Sequence, residues 1–265
     1  MRVMVCGKGG SGKTVISILL ARAFREKGYR PYIIDMDESN ELLPVLAGAE
    51  KPRTLADYFG GRRGVMQALR DGEDRLVKAI GEISKRTFKV SEIERPYISY
   101  TDDGIGILVV GKIRELGEGC ACPLNIFTRT LLKNLKLDDR EVIIVDTDAG
   151  VEHVGRGVEE YADAIIAVAD PTRESINIVK NLKKVADKLG KRFYIIVNKV
   201  PKEIENTVRE LFQKEGLTPD IVIPYDEKIF QSCLLGSKLE SSVAYENVKK
   251  LVDKMLSEVT SRCVS

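Results

Sequence analysis

Eight consecutive residues, Gly7-Lys8-Gly9-Gly10-Ser11-Gly12-Lys13-Thr14, carry the densest chemical signal in the chain. Two spacings overlap in them. Read as Gly7-x-Gly9-x-x-Gly12, with Asp35 closing the next apolar run, they match a dinucleotide-binding turn whose glycines let backbone approach a pyrophosphate. Read as Gly7-x4-Gly12-Lys13-Thr14, they form a P-loop. In that reading the backbone N–H groups of Gly9, Gly10, Ser11 and Gly12 and a helix N-terminus hold phosphates, Lys13 reaches the β and γ oxygens, and Thr14 ligates Mg²⁺.

Carboxylates further along break the tie. A nicotinamide enzyme explains Asp35 but needs neither Lys13-Thr14 nor a second acidic strand end, and Val142-Ile143-Ile144-Val145-Asp146 supplies one. An apolar strand ending in Asp146 sets a carboxylate behind the Mg²⁺ hydration shell. Thr147-Asp148-Ala149-Gly150 then puts the Gly150 amide where a γ-phosphate would sit. Asp35-Met36-Asp37 ends another strand, and one of its carboxylates can orient or deprotonate an attacking water while the other serves the Mg²⁺ shell. Helix capping is the plainer use of either. These patterns predict a nucleoside triphosphatase. After Asn198-Lys199, Pro201 stands where a guanine-specific motif carries its Asp, which disfavours guanine.

Lys8 is a second basic side chain in a loop whose Lys13 already fills the β/γ position. It suits a phosphate held by another subunit, or is simply solvated. The Lys-Gly-Gly-x-Gly-Lys-Thr form resembles the deviant P-loop of the MinD/ParA/nitrogenase-reductase group, whose members dimerise face to face over ATP. The resemblance implies that Lys8 crosses to the partner's nucleotide and that Asp37 is the water-activating residue. It also implies that Asn198 meets the adenine edge together with the Pro224-Tyr225-Asp226 loop.

A second element is Gly117-Glu118-Gly119-Cys120-Ala121-Cys122-Pro123. A turn before a helix N-terminus lowers thiol pKa and favours thiolates. Two thiolates cannot complete the four-coordinate site that Zn²⁺ or Ni²⁺ usually wants, but a symmetric dimer doubles them to four. Here the chain resembles the CooC family of ATPases, which mature nickel-containing carbon monoxide dehydrogenase. That resemblance rests on 7–14, 35–37, 119–122, 146–153 (with the single histidine, His153) and Asp170-Pro171-Thr172-Arg173-Glu174-Ser175. It implies a homodimer formed on ATP or metal binding, Ni²⁺ or Zn²⁺ held by Cys120 and Cys122 of both subunits, and ATP hydrolysis to ADP coupled to nickel insertion into the dehydrogenase as client. An oxidisable dithiol or inert packing is the alternative for the pair. Cys6, Cys233 and Cys263 read as structural, and His153 as either a coupling residue or an ordinary hydrogen-bonding one.

These loops need a scaffold. Short β-branched runs at 3–5, 31–34, 105–110, 142–145, 164–169, 193–197 and 221–223 alternate with helical patterns at 13–27, 124–135, 175–189, 203–215 and 244–260. The alternation predicts a single-domain α/β P-loop NTPase over 1–265, with a mostly parallel central sheet flanked by helices on both faces. Residues 46–103 are charged and weakly periodic, and read as an insertion at the sheet edge.

Composition narrows the partners. Lys+Arg number 42 and Asp+Glu 40 in 265 residues, a net charge of +2, which argues against nucleic acid and acidic membranes as partners. No apolar run approaches the roughly 18 residues that span a bilayer, and residues 1–6 read as strand rather than leader, so the expected location is cytoplasmic. Three rival functions remain. A MinD-like positioning ATPase would lay the stripe Val248, Leu251, Val252, Met255, Leu256 and Val259 on a membrane, although it lacks a dense basic face. A ParA-like partitioner would need a basic stripe for DNA. A nitrogenase-reductase-like iron–sulfur carrier would space its cysteines far apart.

Overall fold

A computed structural model describes residues 1–37, 41–60, 75–111, 122–148, 157–240 and 243–262. The apolar runs become strands: β1 (Arg2–Gly7), β2 (Arg30–Asp35), the short β3 (Phe88–Lys89) and β4 (Ser99–Tyr100), β5 (Gly106–Val109), the short β6 (Leu135–Lys136), β7 (Glu141–Asp146), β8 (Ala164–Ala169), β9 (Arg192–Val200) and β10 (Ile221–Pro224). Eight of them form one sheet in the order β10-β9-β8-β1-β7-β2-β5-β4, with β3 and β6 paired apart. Every pairing in the large sheet is parallel except β4 with β5. Its central strands are buried along their whole length, as a sheet covered on both faces requires.

Helices cover the faces: α1 (Lys13–Glu26), α2 (Leu43–Ala47), α3 (Leu55–Gly60), α4 (Arg75–Ser84), α5 (Cys122–Asn134), α6 (Arg173–Lys188), α7 (Glu205–Lys214), α8 (Glu227–Leu235) and α9 (Val243–Arg262). Alternation along β1 sends Val3 and Val5 into the core beneath α1 and α9, and Met4 and Cys6 into the core on the opposite face. Gly28, Gly190 and Gly216 follow α1, α6 and α7 with positive φ, ending those helices.

Most of the stripe on α9 points inward, with Leu256 half-buried and Val259 exposed. Val248, Leu251, Val252 and Met255 are buried in the same core as Val15, Leu19 and Ile223. They pack on the sheet rather than forming a membrane-facing surface. No helix among the described residues is long and apolar enough to cross a membrane.

Within the stretch 46–103, β4 pairs with β5 at the sheet edge, and Phe59 of α3 stacks edge-on to Tyr58, Phe88 and Phe127 with ring centroids 4.9, 5.0 and 6.4 Å apart. An isolated parallel bridge from Thr54 to Val109 ties it to β5.

Parallel register brings the chemical residues to one edge. Asp35 on β2 stands beside Asp146 on β7, which stands beside Val5 on β1, two residues before the glycine-rich loop begins. Ligands of open α/β sheets bind at this carboxyl edge.

Candidate functional site

The loop from Gly7 to Gly12 leaves β1 and turns directly into α1. A Cβ at Gly7 would sit 2.1 Å from the Val168 carbonyl oxygen, so only glycine lets the loop leave beside β8. Gly12 caps α1 in the left-handed region at φ 99°, and a Cβ there would meet Asn198 Nδ2 at 2.4 Å. No side chain caps this helix, and its first turn carries no acid, so the positive end of its dipole faces the cavity.

The end of β9 holds the loop from behind. Asn198 Nδ2 donates to the Ser11 carbonyl at 2.9 Å, and Lys199, at φ 60°, donates from Nζ to the Gly10 carbonyl at 2.8 Å. Asn198, expected to read the base, thus spends one of its two amide N–H donors on the loop.

Beneath the loop lies a buried acidic floor. Thr14 Oγ1 donates to Asp146 Oδ2 at 2.8 Å and Ser17 Oγ to Asp146 Oδ1 at 3.1 Å. Burial pushes the Asp146 carboxyl up to about 6, against the Thr14 hydrogen bond and the nearby Lys13 charge. Burial, and after it the charge of Asp146, pushes Asp35 up to about 9. Asp35 Oδ1 accepts from the Asp37 amide at 2.9 Å, while its buried Oδ2 finds no partner among the described residues. Lys13 is 7% exposed, and its Nζ donates to the Lys8 carbonyl at 3.3 Å. Lys8 points outward and pairs with Glu174 at 2.7 Å.

A cavity of about 470 Å³ opens above this floor. Gly9, Gly10, Gly12, Lys13, Thr14, Asp37, Asp148, Asn198, Lys199, Pro224 and Asp226 line it. Ser11, Asp35 and Asp146 are buried and do not reach its surface. Gly150, His153 and Cys120 lie outside the described residues, as does the side chain of Cys122, which opens α5. Asp226 lines the wall with its carboxylate already engaged: Oδ1 accepts from the Lys228 and Ile229 amides, capping α8, and Oδ2 from the Ala244 amide at 3.4 Å.

Apart from Tyr225 of the Pro224-Tyr225-Asp226 loop, sequence reasoning missed the far wall. Tyr225, Ile229, Phe230 and Cys233 of the loop and α8, with Leu42 and Leu46 beside α2, give the cavity its apolar side. Cys233, expected to be structural, is half-buried on that wall. Cys6 does behave as structural, its thiol pushed up to about 12 by burial. The signal available for the wall was the Asp226 cap followed by apolar residues at 229, 230, 233 and 234.

A phosphate-sized cradle, a buried Thr–Asp floor and an apolar slot form a nucleotide site, and comparison with known proteins agrees. The CobQ/CobB/MinD/ParA nucleotide binding domain model matches residues 3–238. An uncharacterized ATP-binding protein of Methanocaldococcus jannaschii is 42% identical over 96% of this chain and 98% of its own. The carbon monoxide dehydrogenase accessory protein CooC of Rhodospirillum rubrum is 29% identical over 77% of this chain and 76% of its own. In fold, the septum site-determining protein MinD of Pyrococcus horikoshii, solved with Mg-ADP, superposes with a TM-score of 0.63 at 20% identity, covering 96% of this chain and 95% of that one. The glycine-rich loop, the paired aspartates and the sheet that carries them thus belong to a member of the CobQ/CobB/MinD/ParA family of nucleotide-binding P-loop proteins.

Proposed function

We propose that the protein is a cytoplasmic ATPase that dimerises face to face on ATP, carries Ni²⁺ or Zn²⁺ between Cys120 and Cys122 of two copies, and uses turnover to promote nickel insertion into a nickel-containing carbon monoxide dehydrogenase. The observation that carries the ATPase part is the Thr14–Asp146 hydrogen bond at the mouth of a glycine-rich loop, with Lys13 beside it. The maturation part draws on the likeness to CooC and on the Cys-x-Cys spacing.

The donor set suits a hard cation. A threonine hydroxyl, a buried aspartate and a second buried carboxylate with an orphaned oxygen are oxygen ligands of the kind Mg²⁺ prefers. Thr14 would hold it directly, with Asp146 and Asp35 behind its waters. Bound there, it would neutralise charge on the β- and γ-phosphates.

The chain's own groups supply the rest. Lys13 and the α1 N-terminus bind the β- and γ-phosphate oxygens, and the Gly150 amide meets the γ-phosphate. Asp37 accepts a proton from the attacking water as the water oxygen bonds to the γ-phosphorus and the bond to the ADP oxygen breaks. Lys8 leaves Glu174 and reaches the partner's nucleotide. Asn198, Pro224 and Asp226 shape the adenine slot.

Metal analysis alongside solution mass measurement, with and without ATP, tests the reading. The expected result is a dimer with ATP that holds about one Ni²⁺ or Zn²⁺, as one four-thiolate site requires. Cys120→Ala should lose the metal while still binding ATP. A monomer in the presence of both ATP and metal contradicts the switch, and a broad visible absorption band points to an iron–sulfur cluster instead.

A further inference from the structure

A second hollow, of about 420 Å³, is lined by Arg22, Arg25 and Glu26 of α1, Asp103 of the β4–β5 turn and Tyr245 of α9. It sits near the end of α1 remote from the glycine-rich loop. Tyr245 is the neighbour in sequence of Ala244, which lines the nucleotide cavity.

The charges around it are unevenly satisfied. Glu26 accepts from the Tyr245 hydroxyl and pairs with Lys249 at 3.0 Å. Asp103 Oδ1 accepts from the Thr101 hydroxyl. Lys27 pairs with Asp253, and Lys238 with Asp102 at 3.2 Å. Arg22 and Arg25 have no carboxylate partner among the described residues. Backbone carbonyls hold them instead: Arg22 Nη1 donates to Leu239 at 2.8 Å, while Arg25 donates from Nε to Asp103 at 2.7 Å and from Nη1 to Tyr29 at 3.5 Å. Arg22 Nη2 is buried and finds no acceptor among the described residues.

The turn is built for this. Gly104 has φ 84°, and a Cβ on it would come within 3.1 Å of Arg25 Nη2, so the guanidinium lies flat against the glycine. Thr101 closes the turn, its hydroxyl accepting from the Ile105 amide at 2.9 Å. Residues three apart share a helix face, so both arginine side chains line the one hollow. Each keeps its Nη2 outside those bonds.

Pre-oriented guanidinium forks recognise oxyanions bidentately, and the hollow is larger than an inorganic ion needs. The geometry points to a second ligand site in this protein, in which Arg22 and Arg25 clamp the carboxylate or phosphate of a compact organic anion. The oxyanion is the shared chemistry, and the two carriers can be told apart.

Calorimetric titration of the full chain, saturated with Mg·ADP to occupy the P-loop, tests this with succinate and glycerol 3-phosphate as probes. The expected result is saturable one-site binding of at least one probe, weakened about tenfold or more by Arg25→Gln and by Arg22→Lys, with ADP affinity unchanged. Arg22→Lys keeps a donor for Leu239. Arg25→Gln changes an exposed side chain, so it decides the matter if the other variant fails to fold. No saturation by either probe up to about 10 mM, or equal binding by wild type and Arg25→Gln, overturns the assignment.

Discussion

The floor and the rim of the glycine-rich loop each present a lysine, five residues apart, and the molecule treats them oppositely. Lys13 on the floor is 7% exposed, beside the buried Asp146 and under the dipole of α1. Lys8 on the rim has a side chain 29% exposed and pairs with a Glu174 side chain that is 67% exposed. An exposed ion pair is worth little, so Lys8 can change partners at small cost, whereas Lys13 is held where phosphate charge must go. The floor is preorganised for binding and the rim is free to switch.

The sharpest way to break this contrast is to remove each lysine in turn. Lys13→Ala should lower ATP affinity about 100-fold or more, because it deletes a charge-assisted contact in a desolvated site. Titration with a fluorescent ATP analogue measures this. Lys8→Ala should leave affinity within about threefold yet cut turnover about tenfold or more, the signature of a contact made only in the transition state. Glu174→Gln should leave both within about twofold, since the pair it breaks is exposed. Equal affinity losses in the two lysine variants would erase the distinction between floor and rim.

The same contrast explains what could be read from residues alone. Phosphate chemistry demands particular residue types at particular spacings, so 7–14, Asp35, Asp37 and Asp146 stood out, and the long buried strands declared themselves by β-branched runs. Two-residue strands such as β3, β4 and β6 carry no period to detect. The apolar wall was hidden for another reason. Phe230 and Cys233 sit on a nine-residue helix whose exposed Leu234 and Leu235 blur its amphipathic pattern. Asp226 could be placed at the cavity, but not its commitment to three backbone amides, because a capping aspartate and a ligand-binding one look alike in sequence. Cys120 and the side chain of Cys122 lie outside the described residues, and their role stays with the proposal.

The floor also has a pH signature. Asp35 has an ordinary value near 3.8 in the unfolded chain and about 9 in the fold. Between those values the folded state holds a proton that the unfolded state has released, so the contribution of Asp35 to nucleotide-free stability falls as pH rises from about 4 to about 9. Asp35→Asn should flatten that slope and raise the melting midpoint at pH 8 by on the order of 5 °C relative to wild type, with a smaller gain at pH 5. Thermal melts of both proteins across this range check it. A variant that melts below wild type at pH 8 would mean that the carboxylate is satisfied in the fold after all.

The smallest effect belongs to the wall. Phe230 and Tyr225 are 51% and 48% exposed at the cavity's apolar side, their rings 6.1 Å apart and tilted by 42°. Neither anchors the core, so truncation there removes a contact surface without opening a void. An aromatic side chain stacked on a base is worth about 1 kcal/mol, and Phe230→Ala should weaken ATP about fivefold. Inorganic tripolyphosphate uses the floor and not the wall, and its affinity should be untouched by this change while falling with ATP's in Lys13→Ala. Competition titrations with both ligands separate the two regions. If Phe230→Ala weakened tripolyphosphate as much as ATP, α8 would be acting through the shape of the loop, and wall and floor would be one unit.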